Sequence, residues 1–131
     1  MSIRVLQPEG WPRPRGYANG MSASGRTIFV AGQVGWDAQQ RLVDGGMVAQ
    51  ARQALANIVT ILAVDGARAE HIVRLTWYVT DRAQYLAAAA SLGGVYREVI
   101  GRHFPAMSAV QVTALMEPGA VVEIEATAVV P

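Results

Sequence analysis

The chain has 131 residues, of which 52% are hydrophobic and 16% charged, with a formal net charge of +1. That fits one domain with a real core, residues 1–131, and is too apolar for disorder; the near-neutral charge gives no broad field to select nucleic acid or another polyanion. Cysteine is absent, which excludes disulfides, thiolate nucleophiles and thiolate metal sites.

The opening stretch through Arg15 is broken by Pro8, Pro12 and Pro14 and reads as an arm, with no apolar segment of signal-peptide length. No run approaches the ~20 apolar residues that cross a bilayer, so a soluble cytoplasmic protein is expected. Tyr17 to Ala23 reads as a short strand ended by Ser24-Gly25. Thr27 to Val34 is a buried strand carrying Ile28, Phe29, Val30 and Ala31 and closed by Gly32 and Gly35. Asp44-Gly45-Gly46 is a loop. A helix follows from about Met47 to Val64, with Ala51, Leu55, Ile58, Val59 and Leu62 at helical spacing. Ile72 to Thr80 alternates: Val73, Leu75, Trp77 and Val79 on one face, Arg74, Thr76 and Tyr78 on the other.

Asp81 is placed to cap a second helix reaching about Gly101, with Tyr85, Ala89, Leu92, Tyr96 and Val99 as its stripe. Gly93 and Gly94 weaken it or let a neighbour pack close. Two more strands follow, at about Met107–Met116 and Val121–Val130, expected to lie as a pair. The element order predicts an α+β fold, a mixed sheet with two helices packed on one face. The other face would carry Arg74, Thr76, Tyr78, Gln111, Thr113, Glu123 and Thr127 together with Met107. Such a face is too apolar for free solvent and too polar for a dry core, so it is expected to meet another subunit.

Several ordered segments resemble one known family over nearly the whole chain. They are Gly16-Tyr17-Ala18-Asn19-Gly20, Ile28-Phe29-Val30-Ala31-Gly32-Gln33, Ala51-Arg52-Gln53-Ala54-Leu55-Ala56-Asn57-Ile58, Ile72 through Asp81, Phe104-Pro105-Ala106 and Val122 through Ala128. The family is that of the reactive intermediate deaminases (Rid, YjgF-like), some members of which carry the older label of L-PSP endoribonuclease. The resemblance implies a chorismate-mutase-like fold and a homotrimer with small-molecule clefts between subunits. It also implies hydrolysis of imines and enamines.

The resemblance also names a site, and this chain departs from it. Deaminating relatives place an arginine after Phe-Pro-Ala, where a planar fork grips the substrate carboxylate; here that residue is Met107, which has neither donor nor charge. No nearby residue obviously replaces it, since Arg102 precedes Phe104 and Arg74 lies on another strand. Ala31 stands where relatives often carry serine. Glu123 matches the glutamate that positions and activates water, and Tyr17 matches a tyrosine that closes the cleft. Glu123 and Tyr17 are therefore the catalytic candidates, with Ala31, Gly32, Met107, Ser108 and Ala109 as the ligand pocket. Each has a plainer reading: Glu123 as an interface carboxylate, Tyr17 as a packing aromatic, Met107 as filler.

Other motifs carry less. His71 reads as a capping or surface residue and His103 as a local hydrogen-bonding group. Their separation gives no metal spacing, and no motif calls for a cofactor. Gly32-Gln33-Val34-Gly35 lacks the lysine of a phosphate loop. Ser108 has no histidine partner at a recognisable spacing. Three functions stay open: an imine or enamine hydrolase poor on carboxylate-bearing 2-imino acids, a non-enzymatic metabolite- or partner-binding trimer, and an RNA-acting protein, which the charge makes the least favoured.

Overall fold

The alternation of the last strand decides what lies at the centre of the sheet. In the computed structural model, which describes residues 3–131, Val122, Ile124, Ala126 and Ala128 of the Val122–Val130 strand are buried and Glu123, Glu125 and Thr127 half-buried. A strand with one fully apolar face and one mixed face belongs in the middle of a sheet covered on one side. In chain order the strands are β1 (Ile3–Leu6), β2 (Gly20–Ala23), β3 (Arg26–Val34), β4 (Ile72–Val79), β5 (Ala106–Gln111) and β6 (Val122–Val130). The helices are α1 (Gly46–Val64), α2 (Arg82–Ala87) and α3 (Ala89–Val99).

The main sheet has the order β3-β6-β4-β5. β6 runs antiparallel to both β3 and β4, and β5 runs parallel to β4 at the edge. The last two strands are thus not a pair, contrary to expectation. Parallel neighbours need a crossover of a dozen or more residues, and α2 with α3 supplies one between β4 and β5. β6 is left to fill the gap between β3 and β4. The mixed sheet with its helices on one face, an α+β fold, is as the sequence predicts.

α1 lays Met47, Gln50, Ala51, Ala54, Leu55, Ile58 and Leu62 into the core, the 3–4 spacing of one helical stripe. Its length and apolarity would suffice to cross a bilayer, which the sequence reading did not anticipate, but that stripe packs with Leu75, Val122 and Ile124 of the sheet. Truncating a side chain as enclosed as Leu55 costs about 2–5 kcal/mol. On β4 a register shift between Ile72 and Arg74 puts Ile72 in the core and leaves Val73 only half-buried, so the simple alternation fails at that end.

The second helix is two helices, separated at Ala88 (φ −90°, ψ 6°); nothing in the run of alanines from Ala87 to Ala90 explains the break. Asp81 caps the first of them, its Oδ1 accepting from the Gln84 N–H at 3.0 Å. The opening residues are not a free arm. β1 pairs antiparallel with β2, and the strand expected from Tyr17 begins only at Gly20. Tyr17 instead precedes Ala18, which forms a parallel bridge with Ala106 and donates its N–H to the Pro105 carbonyl at 3.0 Å.

Candidate functional site: an aromatic cavity and a separate carboxylate

The bridge at Ala18 brings the first loop against the start of β5 and closes one wall of a cavity of about 610 Å³. The buried part of its lining is Trp77 of β4 and Leu92 and Tyr96 of α3; Tyr85, Phe104 and Met107 are half-buried, and Tyr17 is exposed. Five aromatic rings therefore surround it. Tyr96 and Phe104 stack with centroids 5.6 Å apart, and Tyr85 meets Trp77 edge-on at 6.1 Å, both favoured arrangements. Burial pushes the Tyr85 and Tyr96 phenols upward, and the Tyr96 hydroxyl donates to the His103 carbonyl at 2.5 Å. Trp77 Nε1 is the one buried side-chain donor among the described residues that has no partner.

Met107 faces this cavity because of register. It pairs with Leu75, and Ala109 pairs with Trp77; paired residues of neighbouring strands share a face, and Leu75 and Trp77 are buried under the helices. The expectation that Met107 belongs to the open face is therefore corrected. Gln111 is corrected likewise: it pairs with Val79, and its side-chain oxygen accepts from the Arg82 N–H at 2.7 Å. Thr113 lies beyond the end of β5. Arg74, Thr76 and Tyr78 do share the open face with Thr127, Glu125 and Glu123, their partners in β6.

Glu123 lies on that open face. A Cβ built on Gly32 would collide with its carboxylate, so the side chain folds over a residue that has none. The β3–β6 pairing shifts register between Val30 and Gln33, and Ala31 and Gly32 are the two residues inside that bulge. Bulges of this kind re-aim side chains beside functional sites. Next along β6, Glu125 accepts from the Tyr78 hydroxyl at 2.5 Å. That bond is the main reason the Tyr78 phenol is held above its ordinary value, with desolvation second. A smaller hollow of about 400 Å³ runs along this face, lined by Phe29, Ala31, Arg74, Thr76, Glu125 and Thr127 among others; Phe29 is 80% exposed.

The candidates named from sequence thus fall into two groups. Tyr17, Met107, Ser108 and Ala109 line the aromatic cavity, while Ala31, Gly32 and Glu123 lie apart, outside its lining. Sequence reasoning missed Arg15 and Arg97, which line the same cavity as Met107. No local motif marks them: one sits in the proline-broken first loop and the other on the outer side of a helix.

Two side-chain amides, buried Gln50 and half-buried Asn57, hold the carboxylate side in shape. Gln50 of α1 donates to the Gly119 carbonyl at 3.1 Å and accepts from the Val121 N–H at 2.9 Å, fixing the turn that starts β6 two residues before Glu123. Asn57 donates to the Trp36 carbonyl at 2.9 Å and accepts from Gln53 at 2.8 Å, tying α1 to the end of β3. The histidines are local: His71 Nδ1 accepts from the Arg68 N–H at 2.9 Å, and His103 Nε2 lies 2.6 Å from the Ile72 carbonyl.

Comparison with known proteins identifies the family and the fold. Residues 12–130 match the family described as Endoribonuclease L-PSP. A goat (Capra hircus) protein named 2-iminobutanoate/2-iminopropanoate deaminase is 42% identical over 105 residues, covering 79% of this chain and 73% of its own length. The crystal structure of YyfB from Yersinia pestis, described as a Rid-family protein of unknown function, superposes with a TM-score of 0.87 at 36% identity, over 99% of this chain and all (100%) of that one. RidA from an Antarctic Psychrobacter superposes with a TM-score of 0.70 at 32% identity, over 97% of this chain and 99% of its own. The chain belongs to the Endoribonuclease L-PSP family, the Rid (YjgF-like) proteins.

Proposed function

We propose that the protein is a homotrimeric hydrolase of imines or enamines, a deaminase, working on soluble metabolites in the cytoplasm and poor on short 2-imino acids. The observation that carries the altered specificity is Met107 on the wall of an aromatic cavity. In a short 2-imino acid the carboxylate is bonded to the reacting carbon, so its grip must sit beside that carbon. A thioether offers no such grip. Losing a buried charge-assisted pair of this kind costs about 2–5 kcal/mol.

The reaction asks little of the chain. Water adds to the C=N carbon while Glu123 takes a proton from it. The proton passes to nitrogen and leaves a carbinolamine. The carbinolamine O–H then gives its proton through Glu123 to the amine, the C–N bond breaks as the C=O forms, and a carbonyl compound and ammonia leave. A carboxylate suits that shuttle, and Tyr17 can orient the substrate through its hydroxyl. Glu123 and Tyr17 lie in separate places in one chain, which supports a cleft assembled between copies. The half-polar open face, with Phe29 exposed, is the surface we assign to that assembly.

The test compares 2-iminopropanoate turnover by the wild type and by Met107→Arg. The wild type should be slow and the variant at least about thirtyfold faster, the lower end of what a regained charge-assisted pair gives. A wild type already as fast as an arginine-bearing relative would refute the altered specificity. A monomer by native mass spectrometry would refute the assembled cleft. The second reading, a binding trimer without turnover, is favoured by the apolar residues at positions 31 and 107; ligand binding with no ammonia release would select it.

A further inference from the structure

Two arginines, Arg15 and Arg97, are among the residues lining the cavity, and both are exposed. Among the described residues neither forms an ion pair with a carboxylate, whereas Arg26, Arg41, Arg52 and Arg68 each do. Gly93, one helical turn earlier on α3, lines the same cavity, and a Cβ there would stand 3.4 Å from Arg97 Nη1. Residues four apart share a helix face, so the Arg97 guanidinium lies along the helix beside the cavity, in reach of Gly93. The lining is thus graded: Trp77, Leu92 and Tyr96 are buried, while Arg15 and Arg97 are exposed and make no ion pair among the described residues.

We infer that the cavity takes an amphipathic acid, with an apolar body of about one ring seated against Trp77, Tyr85 and Phe104 and a carboxylate held at the opening by Arg97 and Arg15. The inference rests on the reading of this cavity as the substrate site and names its substrate class: an imine or enamine whose acid group stands several bonds from the C=N carbon. The volume supports it, since about 610 Å³ is the size of pockets that enclose drug-sized ligands and far more than a three-carbon imino acid fills. Arginine suits the anionic end because its fork meets a carboxylate bidentately. The cation lost from position 107 is thus supplied farther out, by two other elements, for a longer substrate.

Binding of two matched probes to the full-length protein tests this: 3-phenylpropanoate and its uncharged amide, 3-phenylpropanamide, measured by calorimetry. At low salt the acid should bind about tenfold more tightly, a modest gap because the arginines face solvent. The gap should narrow at about 0.5 M salt, where exposed charges are screened. Arg97→Gln should remove most of it and Arg97→Lys should keep part. Arg102→Gln, outside the cavity, should leave it intact. Equal binding of acid and amide by the wild type, no binding of either, or an undiminished gap in the Arg15→Gln, Arg97→Gln double variant would each overturn the inference. So would loss of the trimer in Arg97→Gln, which would make that guanidinium an interface group. Imine hydrolysis is measured separately on the same preparations. Turnover without an acid preference sinks only this inference; an acid preference without turnover sinks only the hydrolase.

Discussion

The two sides of the same four strands carry opposite chemistry. Under the helices, β4 and β5 present Trp77, Met107 and Ala109 to a cavity rich in rings, with no carboxylate in its lining. On the open side the neighbouring residues are Tyr78, Glu123 and Glu125, with Arg74 close by. A strand sends successive side chains to opposite faces, so in the mechanism we propose one residue of register separates recognition from proton chemistry. On that proposal a single chain holds both halves of a site without joining them.

The sharpest way to break the comparison is to remove the carboxylate. Glu123→Gln should lower turnover by about 10²–10⁴-fold and leave binding in the aromatic cavity unchanged, checked by steady-state kinetics beside calorimetry. Gly32→Ala should act on the same group indirectly, because its Cβ displaces the Glu123 carboxylate. Retained full activity in both variants would remove Glu123 from the mechanism. Next in size is Gln50→Ala. It leaves the Gly119 carbonyl and the Val121 N–H without their partners, and an unsatisfied buried group costs about 1–3 kcal/mol. The loss should appear in the denaturant midpoint, and turnover should fall with it if the turn before β6 positions Glu123.

Much of this architecture is legible in the chain itself. Helical spacing from Ala51 to Leu62 and alternation from Val122 to Ala128 locate the core because burial enforces both periods. The Asp81 cap is a local hydrogen bond and is readable for the same reason. What escaped is set by partners distant in sequence. The pairing of β1 with β2 spans the proline-broken loop, and β6 sits between β3 and β4 only because the α2–α3 crossover takes β5 to the edge. The face of Met107 is not legible locally, because the parallel register with Leu75 leaves no trace in β5, which is short and has no clear alternation. Arg15 and Arg97 are ordinary surface arginines until the fold puts both on one cavity. Helical spacing says nothing of Asn57 itself, whose part is the hydrogen bond to the Trp36 carbonyl.

Smaller effects probe the helix side. Tyr96→Phe deletes the bond to the His103 carbonyl and should cost about 1 kcal/mol. It should also change the alkaline limb. Burial raises the Tyr96 phenol above its ordinary value of 10.0, so the folded protein holds that proton more tightly than the unfolded chain. That stability is fully present below about pH 10 and is lost as pH rises above it. Thermal melts from neutral to alkaline pH should show a shallower decline in Tyr96→Phe; identical slopes would mean that the phenol is not enclosed in solution.

The smallest effect separates the two glycines of α3. Gly94 is exposed, and a Cβ there would meet nothing within 4 Å. Gly94→Ala should therefore stabilise the protein by about 0.5–1 kcal/mol, through helix propensity and a less disordered unfolded chain. At Gly93 a Cβ would touch Arg97 Nη1 at 3.4 Å, ordinary contact with the end of a flexible side chain, so Gly93→Ala should raise the melting temperature by a similar amount and should alter acid binding, which Gly94→Ala leaves alone. Equal acid binding by the two variants would mean that the Arg97 guanidinium does not lie against Gly93 in solution.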